Sequence, residues 1–330
     1  MAQPGSALAL GARSREFESR RPDCSVKGAA AILSAVMILA GAAGCGGSSH
    51  AVSAGLESPF AYDRSAPLAY VDRGVVNHDF PIEIHDVSFS SGGRRIDGLL
   101  AVPPGKGPFP AVLYLHGSGG DRAQMIVPAS WMAARGVVAL TITMPETPSV
   151  GGESARQQLT ADRQAVVTTI VAARRAVDAL RALDEVKPDR IGFVGFSAGA
   201  RMGAILSGVE PRIRAFDLLS GGSPPVQEYA RQAPAELRPA VLRELGAVDP
   251  LRWVAHARRG TILLQDGRHD EVVPRASLQA LATAAGRAAE VRWYDQGHSP
   301  ESTAWLDQLR WLSGKLGVDG PVVEGARSGP

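Results

Sequence analysis

The sequence predicts an α/β protein: a mostly parallel sheet with helices on both faces, an antiparallel hairpin at its start and a small cap insertion at residues 223–259. Three observations lead there. Short apolar runs alternate with stretches of helical periodicity from residue 82 onward. One such run, residues 191–196, passes directly into Gly195-Phe196-Ser197-Ala198-Gly199 and then into a small-residue stretch suited to a helix. Ser197, His116, the acidic group after Gln265 and the histidine after Tyr294 all follow strand ends, where open α/β sheets gather reactive groups.

Taken in order, residues 82–90 and 96–102 flank Ser91-Gly92-Gly93 and read as the hairpin. His85, in its first strand, reads as a structural or surface residue. Pro103-Pro104-Gly105 breaks the pattern, and the unbroken apolar run 111–115 reads as a buried strand ending in the loop His116-Gly117-Ser118-Gly119-Gly120. A helix from about residue 122 to 135 then precedes a strand at 137–143 and a loop at 145–152. Residues 159–183 place Val166, Ile170, Ala173, Val177 and Leu180 on one helix face, leaving Arg174, Arg175, Asp178 and Arg181 as a solvated face. Beyond Ser197 come a strand at 213–219, the Pro- and charge-rich cap with helical pieces, and a strand at 261–265. A helix at 274–287, a strand at 291–294 and a helix at 303–316 complete the pattern.

Composition narrows the function classes. Of 330 residues, 45% are apolar and 21% charged, as in a globular protein with a substantial core. Residues 1–44 carry five basic and three acidic groups, which accounts for the whole net charge of +2. The remainder is formally neutral, which argues against a nucleic-acid partner. The two cysteines, Cys24 and Cys45, supply no disulfide framework, zinc pattern or thiol nucleophile.

Residues 28–43 are uncharged, follow Lys27 and end in small residues. That order is the order of a secretory signal, and the apolar part is short for a bilayer span of about 20 residues. Ala42-Ala43-Gly44-Cys45 resembles a bacterial lipobox, with Ala42 where that pattern has leucine. Cys45 is then the lipidated first residue of an exported protein, and the membrane is met through that anchor alone. Val26-Lys27 makes a compact start, which puts residues 1–25 ahead of the translated chain. The expected organisation is a signal at 1–45, a flexible linker at 46–78 that includes His50, a catalytic domain at 79–318 and a loose tail at 319–330.

G-x-S-x-G between a strand and a helix sets a serine on a sharp turn with its hydroxyl exposed. Glycines suit the turn because no Cβ crowds it. A serine hydroxyl needs a base to take its proton and a third group to orient that base. Past Ser197 the chain offers His256, His269 and His298; His298, in Asp295-Gln296-Gly297-His298 between a strand and a helix, is the expected base. His256 lies in the cap and reads as a surface residue. Asp270, in Gly267-Arg268-His269-Asp270, is the expected orienting carboxylate, with Asp266 and Glu271 close by as alternatives. The chain order Ser197, Asp270, His298 is that of α/β-hydrolases. The oxyanion donors expected are the backbone amides of Ala198 and Ser118, with Gly119 as the alternative to Ser118 and His116 shaping the loop.

These residues carry a family resemblance. SFSSGGRRIDGLLAVPPG, PAVLYLHGSGG, DRIGFVGFSAGA, LLQDGRHDEVVP and DQGH resemble the dienelactone hydrolase and acetyl xylan esterase-like branch of the α/β-hydrolase superfamily, related to the prolyl oligopeptidase catalytic domain. The resemblance runs from about residue 82 to 316 and implies the eight-stranded α/β-hydrolase sheet, a Ser197/Asp270/His298 triad and hydrolysis through an acyl-enzyme without metal or cofactor. Dienelactone hydrolases proper use a cysteine nucleophile; serine here favours the esterase side. The absence of a propeller or other large N-terminal domain argues against a size-filtering oligopeptidase. The expected function is an exported serine hydrolase acting on a small-molecule carboxylic ester. A peptidase, amidase or thioesterase on the same triad, and a non-catalytic envelope lipoprotein of this fold, are the alternatives.

Overall fold

The computed structural model describes residues 58–77, 82–145 and 154–318. The signal, Cys45, the first part of the linker, much of the 145–152 loop and the 319–330 tail lie outside those residues. Nine strands form one sheet: β1 (Val71–Val75), β2 (Glu83–Ser91), β3 (Arg94–Val102), β4 (Phe109–Leu115), β5 (Val138–Ile142), β6 (Val186–Phe196), β7 (Ile213–Leu219), β8 (Ile262–Gly267) and β9 (Ala289–Tyr294). Their order is β1-β2-β3-β5-β4-β6-β7-β8-β9. The β1/β2, β2/β3 and β3/β5 pairs are antiparallel, and the rest of the sheet is parallel.

The helices are α1 (Ile126–Ala133), α2 (Ala155–Ala182), α3 (Ala198–Val209), α4 (Val226–Gln232), α5 (Arg238–Ala247), α6 (Pro250–Val254), α7 (Arg275–Ala285) and α8 (Ser302–Leu316). Both sheet faces are covered, which is why the central strands read as continuous apolar runs. On β4, Leu113 and Leu115 face a core with Ile170, Ala173, Val177 and Leu180 of α2 and Ile205 of α3. Val112 and Tyr114 face the other way, toward Met132 of α1 and Leu312 and Leu316 of α8. α4, α5 and α6 are the helical pieces of the cap.

Several elements differ from the sequence reading for identifiable reasons. α2 begins at Ala155 because Ser154 and Gln157 form a reciprocal capping box. α1 starts later than expected because Asp121 holds the Ala123 amide in a turn (2.7 Å) and the Arg122 side chain is drawn to Asp86 and the Gly98 carbonyl. The sheet has nine strands rather than eight: β1 lies in the stretch read as linker. Its sequence, VDRGV, is an exposed edge strand without an apolar run, so it gives no sequence signal. Phe60, also in that stretch, is fully buried, edge-on to Trp253 at 5.3 Å. Residues 58–77 are therefore part of the body.

The solvated face expected on α2 is also corrected. Arg175 is 3% exposed, and Arg174 and Asp178 are largely covered at 12% and 13%. Arg174 reaches Glu210 (3.1 Å) and the Phe60 carbonyl (2.7 Å). Arg212 donates to both oxygens of Glu210 (2.6 and 2.7 Å) and to Asp178 and Tyr62. This network pins the segment before β1 to α2. Arg181 alone of the four is exposed as expected.

Candidate active site

Ser197 follows the end of β6 and caps α3 at φ 52° and ψ −110°, a conformation that a non-glycine residue adopts only under constraint. Its amide donates to the Leu219 carbonyl (2.8 Å), and its own carbonyl takes the first helical hydrogen bond, from Arg201 (3.1 Å). The flanking glycines make the turn possible by close approach. A Cβ on Gly195 would lie 2.4 Å from the Gly199 carbonyl oxygen, and one on Gly199 would lie 2.3 Å from that of Leu115.

The structure brings Ser197, His298 and Asp270 into one line. His298 Nε2 is 3.0 Å from Ser197 Oγ, and His298 Nδ1 is 2.9 Å from Asp270 Oδ2. A carboxylate can only accept, so Nδ1 carries the proton and Nε2 is free to accept from the serine hydroxyl. Asp270 is held from its other side: Oδ1 accepts the amides of Val272 (2.9 Å) and Val273 (2.8 Å). Its side chain is 1% exposed against 16% for His298, so the imidazole faces the mouth while its anchor is sealed behind it. Phe196 packs against the imidazole, ring centres 5.2 Å apart.

Of the other acids near Ser197, Asp266 is buried at the end of β8. Burial, then the neighbouring charge of Asp270, pushes its carboxyl up to about 7. A group that favours its neutral form is a poor partner for an imidazolium, and His298 is bonded to Asp270 instead. His269 points out to Asp295 (2.6 Å), and His256 stays in the cap beside Trp253.

The loop after β4 lies against Ser197: a Cβ on Gly117 would come within 3.4 Å of Ser197 Cβ. His116 is consumed in shaping that loop. Its Nε2 accepts the Met144 amide (2.9 Å), so Nδ1 carries the proton and donates to the Gly117 carbonyl (2.7 Å). Gln124 Oε1 takes the Gly117 amide (2.7 Å), and the Gly120 amide closes a turn on the Gly117 carbonyl (3.2 Å). Among the described residues the amides of Ser118, Gly119 and Ala198 have no acceptor.

Ser220 and Gln124 were not found by sequence reasoning. Ser220, at the end of β7, has φ 52° and donates its hydroxyl to the His298 carbonyl (2.9 Å). No motif marks it; only strand order, which sets β7 beside β6, makes it a candidate. Among the described residues no cluster of three or more His, Cys, Asp or Glu could hold a metal ion.

The family model described as esterase FrsA-like matches residues 69–228, a span that takes in Ser118 and Ser197 and stops before Asp270 and His298. The chain is 32% identical over 130 residues to esterase FrsA of Escherichia coli O157:H7, covering 39% of this chain and 29% of that one. Against esterase FrsA of Enterobacter sp. (strain 638) it is 30% identical over 134 residues, covering 39% and 30%. It thus spans less than a third of the length of these relatives. Acetyl xylan esterase 1 from Thermoanaerobacterium sp. JW/SL YS485 superposes with a TM-score of 0.64 at 18% identity, covering 79% of this chain and 92% of that one. An acetyl xylan esterase from Paenibacillus sp. R4 gives 0.61 at 21%, covering 76% and 89%. A Mycobacterium tuberculosis puromycin-hydrolyzing peptidase gives 0.58 at 18%, covering 74% and 41%. At these identities the likeness is one of fold.

Proposed function

We propose that this chain, which has the α/β-hydrolase fold, is an exported serine hydrolase of that superfamily that cleaves carboxylic esters at Ser197. The observation that carries the reading is the unbroken line from Ser197 Oγ through His298 to Asp270, at 3.0 and 2.9 Å. The esterase names of the matching family and relatives support the same reaction class.

Ser197 Oγ bonds to the acyl carbon while its proton passes to His298 Nε2. The resulting imidazolium is held by Asp270, whose two backbone donors keep it aimed. The carbonyl oxygen becomes an oxyanion facing the free amides of Ala198 and Ser118, each worth about 2.7–4 kcal/mol in such a site. Collapse breaks the ester C–O bond, and His298 returns the proton to the leaving alcohol. Water then attacks the acyl-enzyme with His298 again as base, and the acid leaves. The strained backbone of Ser197 is held by Gly195 and Gly199 before substrate arrives.

Purified protein should hydrolyse p-nitrophenyl acetate and take a fluorophosphonate label at Ser197, with both lost in Ser197→Ala. Labelling that persists in the variant, or an unlabelled wild type, would overturn the reading. Faster turnover of peptide anilides than of esters would move it to the amidase alternative. The export half has its own test. Cys45→Ala should move the protein from the membrane fraction to the soluble fraction; an unchanged distribution removes the lipid anchor.

A further inference from the structure

A cavity of about 250 Å³ lies between α2, the first turn of α3 and the cap helices. It is built from segments that also carry the triad. Its wall includes Arg201, one helical turn past Ser197, and Ser223, which follows the β7 end where Ser220 holds the His298 loop. Met202, Val226 and Val248 give it apolar sides. The volume falls below the usual 300–1,000 Å³ of sites for larger ligands, so it suits a short chain rather than a lipid tail.

Arg201 is anomalous within that wall. Its Nε is buried without a hydrogen-bond partner, and among the described residues the guanidinium has no ion pair. Arg201 as a whole is half-buried, but buried donors such as its Nε are almost always paired in folded proteins. Asp249 is the acid whose charge Arg201 feels, but it is committed elsewhere: its Oδ1 accepts the Leu251 amide (2.9 Å) as the cap of α6. Asp162, at the exposed rim, is bonded to Gln158 (2.7 Å). The forked donor set of arginine matches a carboxylate held side-on. The two nearby acids favour a singly charged guest over a doubly charged phosphate, since each added charge meets their repulsion.

Resting on the esterase reading, we infer that Arg201 receives a carboxylate of the substrate, which makes the preferred substrate a short ester carrying an acid group near the scissile carbonyl. The carboxylate can belong to the acyl or the alcohol portion. The test measures a ratio, so that a general loss of activity does not imitate it. Full-length protein is assayed on p-nitrophenyl hemiglutarate against p-nitrophenyl valerate for the acyl side. The alcohol side is probed with 4-acetoxybenzoate against phenyl acetate.

One of the two charged esters should exceed its neutral counterpart at least ~10-fold in kcat/KM, and R201Q should lower that ratio about 10- to 100-fold, the range of a charge-assisted contact. R201K, which keeps the charge and loses the fork, should fall between. Equal ratios in wild type, or a ratio that R201Q leaves alone, overturns the inference. Should no ester turn over, the esterase reading fails and the cavity is still tested by calorimetry with monoethyl glutarate against ethyl valerate. Tighter binding of the anion, lost in R201Q, supports the site; equal binding overturns it.

Discussion

Arg212 and Arg201 are both partly buried arginines beside α2, and they are treated in opposite ways. Arg212 meets both oxygens of Glu210, together with Asp178 and Tyr62, and Arg174 completes the Glu210 shell. Burial alone would push the Glu210 carboxyl up, but the hydrogen bonds and charges of Arg212 and Arg174 hold it below the ordinary glutamate range. Arg201 has a cavity in front of it and no partner around its Nε. The first cluster is closed and fastens residues 58–77 to the body. The second is open, and so is the Ala198 amide one helical turn before it. Here completed charge does the work of structure, while the Arg201 Nε and the Ala198 amide, both unpaired, lie within about one turn of Ser197.

The largest effect should come from the strained turn. Ser197→Gly removes the proposed nucleophile and should lower kcat by about 10⁶-fold, the scale seen when a triad serine is lost. Glycine also tolerates φ 52° without strain, so the variant should be about 1 kcal/mol more stable by urea denaturation. An inactive variant of lowered stability would mean that the turn stores no strain.

The closed cluster predicts the reverse combination. Glu210→Gln leaves Arg212 and Arg174 short of charge in a buried site and should cost about 3–5 kcal/mol. The folded fraction should keep its kcat. A loss of turnover without a loss of stability would break the division between the two regions.

The sequence shows this division unevenly. The parallel strands are legible because each is a short apolar run that needs no partner to be recognised. Ser197 is legible because the turn demands glycine on both sides. Arg174 and Arg175 were assigned to solvent because helical periodicity sees only the residue's own helix. Glu210 and Arg212 lie after another strand and helix, and Phe60 and Tyr62 lie before the hairpin. β1 gives no signal for a different reason, since an edge strand need not be apolar on either face. Among the carboxylates near His298, sequence could rank Asp270 above Asp266 but not separate them physically. The separation is one of environment: two amides hold the Asp270 side chain in place behind His298, while burial pushes the Asp266 carboxyl up to about 7.

That contrast can be measured. In the fold Asp266 holds its proton to about 7, whereas an ordinary aspartate releases it near 3.8. A raised folded value means that the favourable contribution is complete below the unfolded value and is lost as pH rises through the folded one. Asp266→Asn does not titrate there. Its stability relative to wild type should therefore grow between about pH 4 and pH 7 and level off above, by on the order of 4 kcal/mol at most. Urea titrations at pH 4, 5.5, 7 and 8 would show it. Parallel pH profiles for the two proteins would mean that burial does not raise the Asp266 carboxyl in the fold.

The smallest effect concerns Ser220, which stands between the two regimes. Its hydroxyl is satisfied, like the closed cluster, yet what it satisfies is the carbonyl of His298. Ser220→Ala removes that bond and leaves the backbone at φ 52°, so it should cost about 1 kcal/mol of stability. As a positioning residue it should also act on the imidazole, with kcat falling about 10-fold and KM little changed, because the loss is felt when His298 must accept a proton in line. Ser220→Gly supplies the control: it loses the same hydroxyl but relieves the strained φ, so stability should recover while kcat stays low. If kcat recovers with stability, Ser220 serves the fold alone, and the boundary between the regions runs between Ser220 and His298.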